Sequence, residues 1–414
     1  MSARPAEAGA PAPAPGSAAA GARPVRVLLV FGALERAGAQ LRTMEVCREL
    51  RRARPVSFDL CSLGLGPDEL WAEASALGGS PRRISIRSPL FPLRLAAFLR
   101  RERYGILLTE PQLLSGIVLA VATAARVPVR IAAIHNALGA RGQSASNPAV
   151  RFVLGSRPFV WAMRWLIRRC STDVLAVSRS ALDSVLPGRW QRGGRCRVVY
   201  NGTDVRPFHE LPDRAGVRAE FGWPPEVRIV IHVGRMAPQK NHRGIVEAFR
   251  LVREQDEGAR LLLVGDGRLR GEIEARIDRL GLRGACAITA GRRDVPRLLL
   301  ASDVFLFPSL WEGLPGAPLE ALAAGLPVVA SDIPSIREIE PHFPGAILVA
   351  PADDVEAHAA NVLRALRGPR DRADLRARFE RSPFALPRAV EAYRELFRLG
   401  GPESPGDAGP RIPR

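Results

Sequence analysis

The sequence has few cysteines, and none of them forms a recognisable pair. Five cysteines are scattered over 414 residues without a Cys-x-x-Cys motif, which fits reduced thiols in a cytoplasm better than a disulfide framework or a zinc site. The N-terminal stretch 2–22 is rich in Ala, Pro and Gly and has no apolar core, so it does not resemble a signal peptide. These features predict a cytoplasmic protein.

Long apolar runs and metal-binding motifs are also missing. The longest apolar run, Leu113–Ala125, is interrupted by Ser115, Gly116 and Thr123. It is too short to cross a bilayer and is typical of a buried helix. We therefore expect no membrane-spanning helix. Because no Asp-x-Asp motif presents itself as a metal ligand, we also expect no bound metal.

Lysine and aromatic residues are scarce, although the chain is strongly basic. Only one of the 60 basic residues is a lysine, aromatic residues make up 6%, and the net charge is +18. Such a charge suggests nucleic acid or an anionic membrane surface as a partner, but GC-rich coding explains the arginine bias equally well. The sequence contains no recognised nucleic-acid motif and no arginine run interleaved with stacking aromatics, so we expect no nucleic-acid partner.

Strand-like and helical segments alternate along most of the chain. In the first half we expect strands at 25–31, 56–61, 106–109, 129–134, 174–177 and 197–199. In the second half we expect them at 228–233, 260–264, 303–307, 328–330 and 347–349. Hydrophobic residues make up 47% of it, enough for sizeable cores. The alternation predicts an α/β fold with a doubly wound parallel sheet in each of two halves. The expected organisation is a disordered Pro/Ala tail (1–23), an N-terminal Rossmann-like domain (24–204), a C-terminal Rossmann-like domain (205–382), a helix that crosses back onto the first half (383–399) and a second disordered tail (400–414).

The segment 307–332 carries the strongest local pattern. A buried strand ends at Pro308, a loop with Gly313 and Gly316 follows, and a short helix then begins with Pro318 in its first turn. The loop is therefore expected at the carboxyl end of a parallel strand and at a helix N-terminus, where free N–H groups bind anions. The two glycines allow a phosphate to approach the backbone closely.

Two glutamates belong to the same segment. Glu312 lies in the loop, and Glu320 lies two turns further on, in the helix. Because carboxylates repel a diphosphate, we expect both to accept hydrogen bonds from sugar or ribose hydroxyl groups on either side of it. An ordinary strand–loop–helix with two surface glutamates is the alternative interpretation.

A second pattern, at 233–241, follows another strand and opens another helix. Arg235 and Lys240 are spaced to clamp one diphosphate across the loop, the arginine as a fork and the lysine as a point charge. Lys240 is the only lysine in the chain, which suggests a site that needs an ammonium group. A chance pair of surface charges at a helix start is the alternative.

Taken together, these strings resemble the retaining glycosyltransferases of family 4, the group 1 glycosyltransferases, and in particular exopolysaccharide-type members. That family has the GT-B architecture, in which two Rossmann-like domains face a cleft. The likeness is continuous from about 197 to 340 and looser over 25–196. The matching strings are Gly234-Arg235, Lys240-Asn241, Gly265-Asp266-Gly267, Glu312-x7-Glu320, Ala-Gly-Leu-Pro-Val-Val-Ala-Ser-Asp at 324–332, His135 and Ala176-Val177-Ser178.

The resemblance implies a role for each matching residue. Beside Gly234, Arg235 and Lys240 would hold the donor's phosphates, Glu312 would contact the transferred sugar, and Glu320 would contact the ribose. The backbone expected to cradle the diphosphate comprises Gly313, Leu314, Gly316 and Ala317.

Two further residues come from the first half. His135 matches a histidine that faces the donor sugar, and Gly38 lies where the family has a glycine-rich loop near the phosphates. The chain has Gly-Ala where a double glycine is common, and Glu-Gly-Leu-Pro-Gly-Ala-Pro instead of the common Glu-Gly-Phe-Gly-x-Pro. The second departure leaves the spacing of the two glutamates intact.

The expected activity is therefore transfer of a hexose from a UDP-, GDP- or other nucleotide-sugar to a carbohydrate, lipid-linked or small-molecule acceptor. Retention of configuration is implied by the family, and neither a metal nor a cofactor is expected. The N-terminal domain would bind the acceptor and the C-terminal domain the nucleotide-sugar. Two alternatives are a nucleotide-sugar epimerase on the same architecture and a non-catalytic scaffold that binds polyanions.

The segment Val150–Cys170 mixes tryptophan and phenylalanine with five arginines. One interpretation is an amphipathic stretch that rests on anionic lipid at the inner face of a membrane. The other is a domain helix with an arginine-rich exposed face. The sequence leaves both open.

Overall fold

The computed structural model describes residues 25–34, 38–53, 55–135, 156–188, 190, 194–368 and 371–399. The two expected tails, 1–23 and 400–414, lie outside the described residues. So does residue 24, at which the first domain was expected to begin.

The N-terminal half forms a parallel sheet of seven strands in the order β3-β2-β1-β4-β5-β6-β7. The central strand β1 is covered on both faces, and Val27 to Phe31 are fully buried, as is usual for parallel strands with helices on both sides. The strands are β1 (Val25–Phe31), β2 (Val56–Ser62), β3 (Arg82–Arg83), β4 (Ile106–Thr109), β5 (Val129–Ile134), β6 (Asp173–Ala176) and β7 (Cys196–Val198).

The C-terminal half forms a second parallel sheet, of six strands, in the order β10-β9-β8-β11-β12-β13. Its central neighbours β8 and β11 pair directly, with Val304 opposite Val230. The strands are β8 (Arg228–Val233), β9 (Ala259–Val264), β10 (Cys286–Thr289), β11 (Val304–Phe307), β12 (Val328–Ser331) and β13 (Ile347–Ala350). Two such sheets confirm the predicted pair of Rossmann-like domains.

Helices cover both faces of each sheet. In the first half they are α1 (Gly38–Ala53), α2 (Trp71–Ser75), α3 (Phe91–Glu102), α4 (Ser115–Ala124), α5 (Arg157–Cys170) and α6 (Arg179–Val185). In the second half they are α7 (Arg214–Glu220), α8 (His242–Gln255), α9 (Arg270–Arg279), α10 (Val295–Ala301), α11 (Gly316–Ala323), α12 (Pro334–Ile339), α13 (Val355–Arg367) and α14 (Arg372–Arg381), and α15 (Leu386–Leu396) ends the described chain. Short 3-10 turns lie at Gln112–Leu114, Arg206–Phe208, Pro238–Lys240, Arg283–Ala285 and Glu340–His342.

The last helix, α15, packs on the first half of the molecule. Tyr393 and Phe397 belong to the buried cluster formed by α1 and β1, and the ring centroid of Phe397 lies 6.1 Å from that of Phe58 in β2. A Cβ atom on Gly202 would lie 2.8 Å from the backbone of Leu386, so a glycine is needed where the chain passes under this helix. Helix α15 therefore ties the two halves together.

Two strands were not expected from the sequence, β3 and β10. Both lie at an edge of their sheet, where one flank needs no neighbour. Neither contains a fully buried residue, so neither shows the apolar run that marks a central strand. None of the helices in the described part of the chain combines the length and apolar character needed to cross a bilayer.

Candidate active site

Two loops that the sequence singled out lie side by side at the carboxyl edge of the second sheet. One follows β8 and the other follows β11, and these two strands are hydrogen-bonded neighbours. The backbone N–H of Leu310 donates to the carbonyl of Gln239 at 2.9 Å, and the Gln239 amide donates to the carbonyl of Trp311 at 2.8 Å. These bonds fix the two loops against each other.

Lys240 and Glu312 form an ion pair at this junction. Lys240 Nζ lies 2.7 Å from Glu312 Oε1, and Gln239 Nε2 donates to the other carboxylate oxygen at 3.0 Å. The two side chains are only 17% and 9% exposed, and Nζ lies 4.8 Å from the centroid of the Phe307 ring. The glutamate that was expected to meet a sugar hydroxyl is thus already bonded to the lysine that was expected to meet a phosphate.

Gly234 lies beneath the lysine side chain. A Cβ atom at Gly234 would lie 3.4 Å from Lys240 Cε and 2.9 Å from Nε2 of the buried His232. Gly265, with φ of +146°, presses so closely on the Gly234 carbonyl that a Cβ there would overlap it. Both glycines therefore allow close backbone packing under the site.

Arg235 lies on the same loop as Lys240 but is exposed. Within the described part of the chain, its guanidinium takes part in no hydrogen bond or ion pair. It thus supplies a positive charge with free donors on the same loop as Lys240.

The start of α11 offers unbonded backbone N–H groups. The helix begins at Gly316 and has no side-chain cap, because its N-cap residue is Pro315. The N–H groups of Gly313, Leu314, Gly316 and Ala317 donate to no other described residue. A helix start with free donors carries a partial positive charge and attracts anions.

Glu320, one turn into α11, is paired with a residue of the other domain. The guanidinium of Arg42, in α1, donates to Glu320 Oε1, and its other nitrogen donates to Glu45 at 2.9 Å. Burial raises the pKa of the Glu320 carboxyl, and the charge of Arg42 partly offsets this rise. Arg42 therefore links the domains across the cleft.

Gly38, the first residue of α1, lies one turn before Arg42 and thus on the same face of the helix. Among the described residues, nothing lies within 4 Å of where a Cβ atom of Gly38 would be. The helix start faces the same domain boundary as Arg42.

His135 comes directly after β5 and is 6% exposed. Its Nε2 lies 3.3 Å from Oε1 of the buried Glu110, which accepts a hydrogen bond from Thr43 at 2.8 Å. Among the described residues, neither ring nitrogen of His135 makes a well-aligned hydrogen bond. The imidazole therefore lies beside a carboxylate, and its ring nitrogens remain able to form hydrogen bonds.

A hydrogen bond from Ser178 joins the end of β6, next to the end of β5, to the second domain. The N–H of Val177 donates to the carbonyl of Ile134 at 3.0 Å, so His135 and Ser178 end neighbouring strands. Ser178 Oγ donates to the carbonyl of Gly313 at 3.1 Å. The loop that contains Gly313 therefore packs at the edge of the first sheet where His135 ends β5.

Two buried histidines lie under the lysine loop. Burial, with a smaller contribution from the nearby charge of Lys240, lowers the pKa of His232 well below its usual value and that of His242 to about 4. Their rings meet edge to face with centroids 4.9 Å apart. Both are thus neutral at physiological pH and give the loop an uncharged floor.

Arg42, Glu110 and Gln239 were missed by sequence reasoning. Glu110 had a signal, because a carboxylate directly follows the buried strand β4 at the edge where the other site residues lie. Gln239 lies next to Lys240, but nothing in the sequence shows that it faces Glu312. Arg42 had no signal, since arginine is the commonest charged residue of the chain. The described residues contain no cluster of three or more potential metal-binding side chains.

Two family models match this chain, one in each domain. The model for group 1 glycosyl transferases matches residues 213–381, and the model for glycosyltransferase family 4 matches residues 36–206. The two matches together cover most of the sequence, one in each domain.

Two curated bacterial relatives match over long stretches. The UDP-Gal:alpha-D-GlcNAc-diphosphoundecaprenol alpha-1,3-galactosyltransferase of Escherichia coli is 26% identical over 58% of this chain and 61% of its own length. The chain thus spans about six tenths of that relative. The putative glycosyltransferase EpsF of Bacillus subtilis is 28% identical over 74% of this chain and 79% of its own length.

A solved structure with the same fold is that of HepE from Anabaena in complex with UDP. It superimposes with a TM-score of 0.74 at 17% identity, over 90% of this chain and all of its own. The same protein has also been solved with UDP-glucose. At this identity the likeness shows the fold, and it confirms the predicted GT-B architecture. The chain belongs to the group 1 glycosyltransferases of family 4.

Proposed function

We propose that the protein transfers a sugar from a nucleotide-diphosphate donor, with the diphosphate bound where the Lys240 loop meets the start of α11. The observation that carries this proposal is the Lys240–Glu312 pair, in which Glu312 lies four residues before Gly316, the first residue of α11. Arg235, exposed on the same loop, adds a second positive charge. This combination suits two adjacent phosphates better than a single carboxylate.

The flanking carboxylates suit the two ends of such a donor. Glu312 accepts hydrogen bonds from hydroxyl groups of the transferred sugar. Glu320, in α11, accepts hydrogen bonds from the ribose hydroxyl groups. Both carboxylates are held by cationic side chains, so each is an acceptor already oriented for hydrogen bonding. HepE, which shares the fold, was solved with UDP and with UDP-glucose.

The chemical step develops negative charge on the leaving diphosphate as the bond between the anomeric carbon and the phosphate oxygen breaks. Arg235, Lys240 and the N–H groups of α11 stabilise that charge from fixed positions, which is the largest contribution that such a site makes. These groups supply the charge that a divalent metal supplies in other enzymes, so the reaction proceeds without a metal or cofactor.

The acceptor attacks from the face that the diphosphate leaves. The new bond joins the acceptor oxygen to the anomeric carbon, and the acceptor proton passes to an oxygen of the departing phosphate. Configuration is thereby retained. His135, which ends β5 opposite the Gly313 loop, faces the donor sugar from the N-terminal domain. The acceptor is lipid-linked or a polysaccharide. The relative from E. coli is named for a lipid-linked acceptor, a GlcNAc-diphosphoundecaprenol.

Thermal-shift measurements with UDP-, GDP-, ADP- and TDP-sugars test the donor class. We expect one nucleotide to raise Tm clearly, and Arg235→Ala to lower the affinity for it by about tenfold or more, because a charge-assisted hydrogen bond contributes about 1.5–3 kcal/mol. Arg293→Ala serves as the control in the same domain.

The proposal is wrong if no nucleotide shifts Tm, or if Arg235→Ala binds as tightly as the wild type. Incubation with the donor alone distinguishes a glycosyltransferase from the remaining alternative, a nucleotide-sugar epimerase. Free epimerised donor without an acceptor would indicate an epimerase, whereas a glycosyltransferase releases nucleoside diphosphate and transfers the sugar with its anomeric configuration unchanged.

A further inference from the structure

Helix α5 exposes two tryptophans on one face. Trp161 is 69% exposed and Trp165 is 52% exposed, and a spacing of four residues places them one above the other along the helix. The opposite face is anchored in the core through Met163, Ile167 and Cys170. Two large aromatic rings in water on a well-packed helix are unusual, because such side chains are normally buried.

Arginines flank the two rings. Arg157 precedes them by one turn, and Arg168 and Arg169 follow by one turn, all three exposed. Helix α5 contains no acidic residue. The stripe Arg157–Trp161–Trp165–Arg168/Arg169, here called the Trp–Arg stripe, is about 17 Å long at 1.5 Å per residue.

We propose that the Trp–Arg stripe docks on an anionic lipid surface. Indole rings favour the boundary between lipid headgroups and acyl chains, and guanidinium groups bind phosphate oxygens with two parallel hydrogen bonds. A helix with aromatic residues between arginines and without acidic residues is the pattern of a segment lying in the plane of the interface. Each arginine near an anionic leaflet contributes about 1 kcal/mol.

The chemistry favours lipid over an acidic protein or a nucleic acid. The two rings project side by side from a convex helix, without the groove that tracks a nucleic-acid backbone. Part of the positive charge is already turned toward the protein, because the guanidinium of Arg168 donates to the carbonyl of Pro187 at 2.9 Å. What remains outward is a short apolar centre with charged ends, which matches a headgroup layer.

The position of α5 gives the docking a use. In a parallel sheet the helices start near the carboxyl ends of the strands, so α5 starts on the side where His135 ends β5. Helix α3 packs in the same core cluster on the same side of the sheet, and it adds the exposed Leu93 and, at its N-cap, Leu90. A membrane under this face lies beside the N-terminal domain and leaves the C-terminal donor loops free.

Co-sedimentation with vesicles tests the proposal on the full chain. Wild type is expected to bind vesicles of phosphatidylcholine mixed with phosphatidylglycerol, and to bind pure phosphatidylcholine at least tenfold less. Trp161→Ser together with Trp165→Ser is expected to lower the partition coefficient tenfold or more. Trp71→Ser is the matched control, since Trp71 is also exposed but lies in α2 on the opposite face of the sheet.

A charge variant provides the second arm. Arg157→Gln with Arg169→Gln is expected to weaken binding to the mixed vesicles roughly 25-fold, from about 1 kcal/mol for each arginine. Arg279→Gln, an exposed arginine of α9 in the other domain, should leave binding unchanged. Quenching of wild-type tryptophan emission by brominated lipid should accompany binding and disappear in Trp161→Phe with Trp165→Phe.

Three results would overturn the proposal. One is a wild type that ignores anionic vesicles at low salt, and another is equal loss of binding in the control variants. The third is unchanged bromolipid quenching in the phenylalanine pair, which would place the contact elsewhere. The docking does not depend on the proposed sugar transfer, so thermal shift with nucleotide-sugars distinguishes failure of one from failure of the other.

Discussion

The charge of Glu312 should oppose binding of a nucleoside diphosphate. Glu312 Oε1 lies 2.7 Å from Lys240 Nζ, so a phosphate bound to the same ammonium lies about 5 Å from the carboxylate. At an effective dielectric constant near 20, two unit charges about 5 Å apart repel by about 3 kcal/mol. Because Lys240 is 17% exposed, solvent reduces this to about 1–2 kcal/mol.

Glu312→Gln should therefore bind UDP roughly 5- to 25-fold more tightly than the wild type. The amide still accepts hydrogen bonds but no longer repels the phosphates or holds the ammonium as strongly. Lys240→Met should do the opposite and weaken UDP binding by roughly 10- to 100-fold, because a charge-assisted hydrogen bond is lost. Isothermal titration calorimetry at constant ionic strength measures both effects.

The control and the refuting result are well defined. Asp266→Asn removes the same charge from the exposed Gly-Asp-Gly turn, where the side chain is 59% exposed, and should change UDP affinity little. If Glu312→Gln folds normally and binds UDP no more tightly than the wild type, the phosphates do not share Lys240 with this carboxylate. The double variant Lys240→Met with Glu312→Gln then measures their coupling.

Three further predictions follow from the cleft and the turn beneath it. Arg42→Met removes the charge that lowers the pKa of Glu320, so that pKa should rise further. Since a raised carboxyl pKa stabilises the folded protein only below the unfolded value of about 4.5, the variant's Tm deficit should grow as pH rises from about 4.5 to 7. Glu110→Gln should lower kcat about tenfold with little change in KM if Glu110 orients His135, and an unchanged kcat would exclude that role. Gly265→Ala should lower stability by about 2–4 kcal/mol in urea unfolding, because its Cβ would overlap a carbonyl oxygen.

The fold was predictable because its central strands are apolar runs buried on both faces. Strands β1, β4, β5 and β8 have the expected bounds, since each is mainly apolar and most of its residues are buried. The edge strands β3 and β10 were missed because strands without a fully buried residue lack that signal. The pattern of the Glu312 loop also predicted its strand end and helix start.

The pairing of the site residues was beyond sequence reasoning. Lys240 and Glu312 are 72 residues apart, and Arg42 and Glu320 are 278 apart. Residue types indicate what each group is able to bind, but only the packing of neighbouring loops, for Lys240 and Glu312, and of the two domains, for Arg42 and Glu320, decides which groups face each other. The two carboxylates were expected to accept hydrogen bonds from substrate hydroxyl groups, whereas Glu312 already pairs with Lys240 and Glu320 with Arg42.

These pre-formed pairs bear on how a donor and its product would differ. Under the proposed function, a diphosphate that binds Lys240 shares the ammonium group with Glu312 and so weakens the ion pair of that carboxylate. A nucleotide-sugar compensates, because a sugar hydroxyl donates a hydrogen bond to Glu312, whereas a nucleoside diphosphate alone does not. The arrangement therefore favours the donor over the product, and the repulsion between Glu312 and the phosphates assists product release, a step that often limits turnover. By the same reasoning Glu312→Gln should narrow the difference in affinity between UDP-glucose and UDP. In the wild type a sugar hydroxyl offsets the negative charge of Glu312 only when UDP-glucose is bound, and in the variant that charge is absent for both ligands.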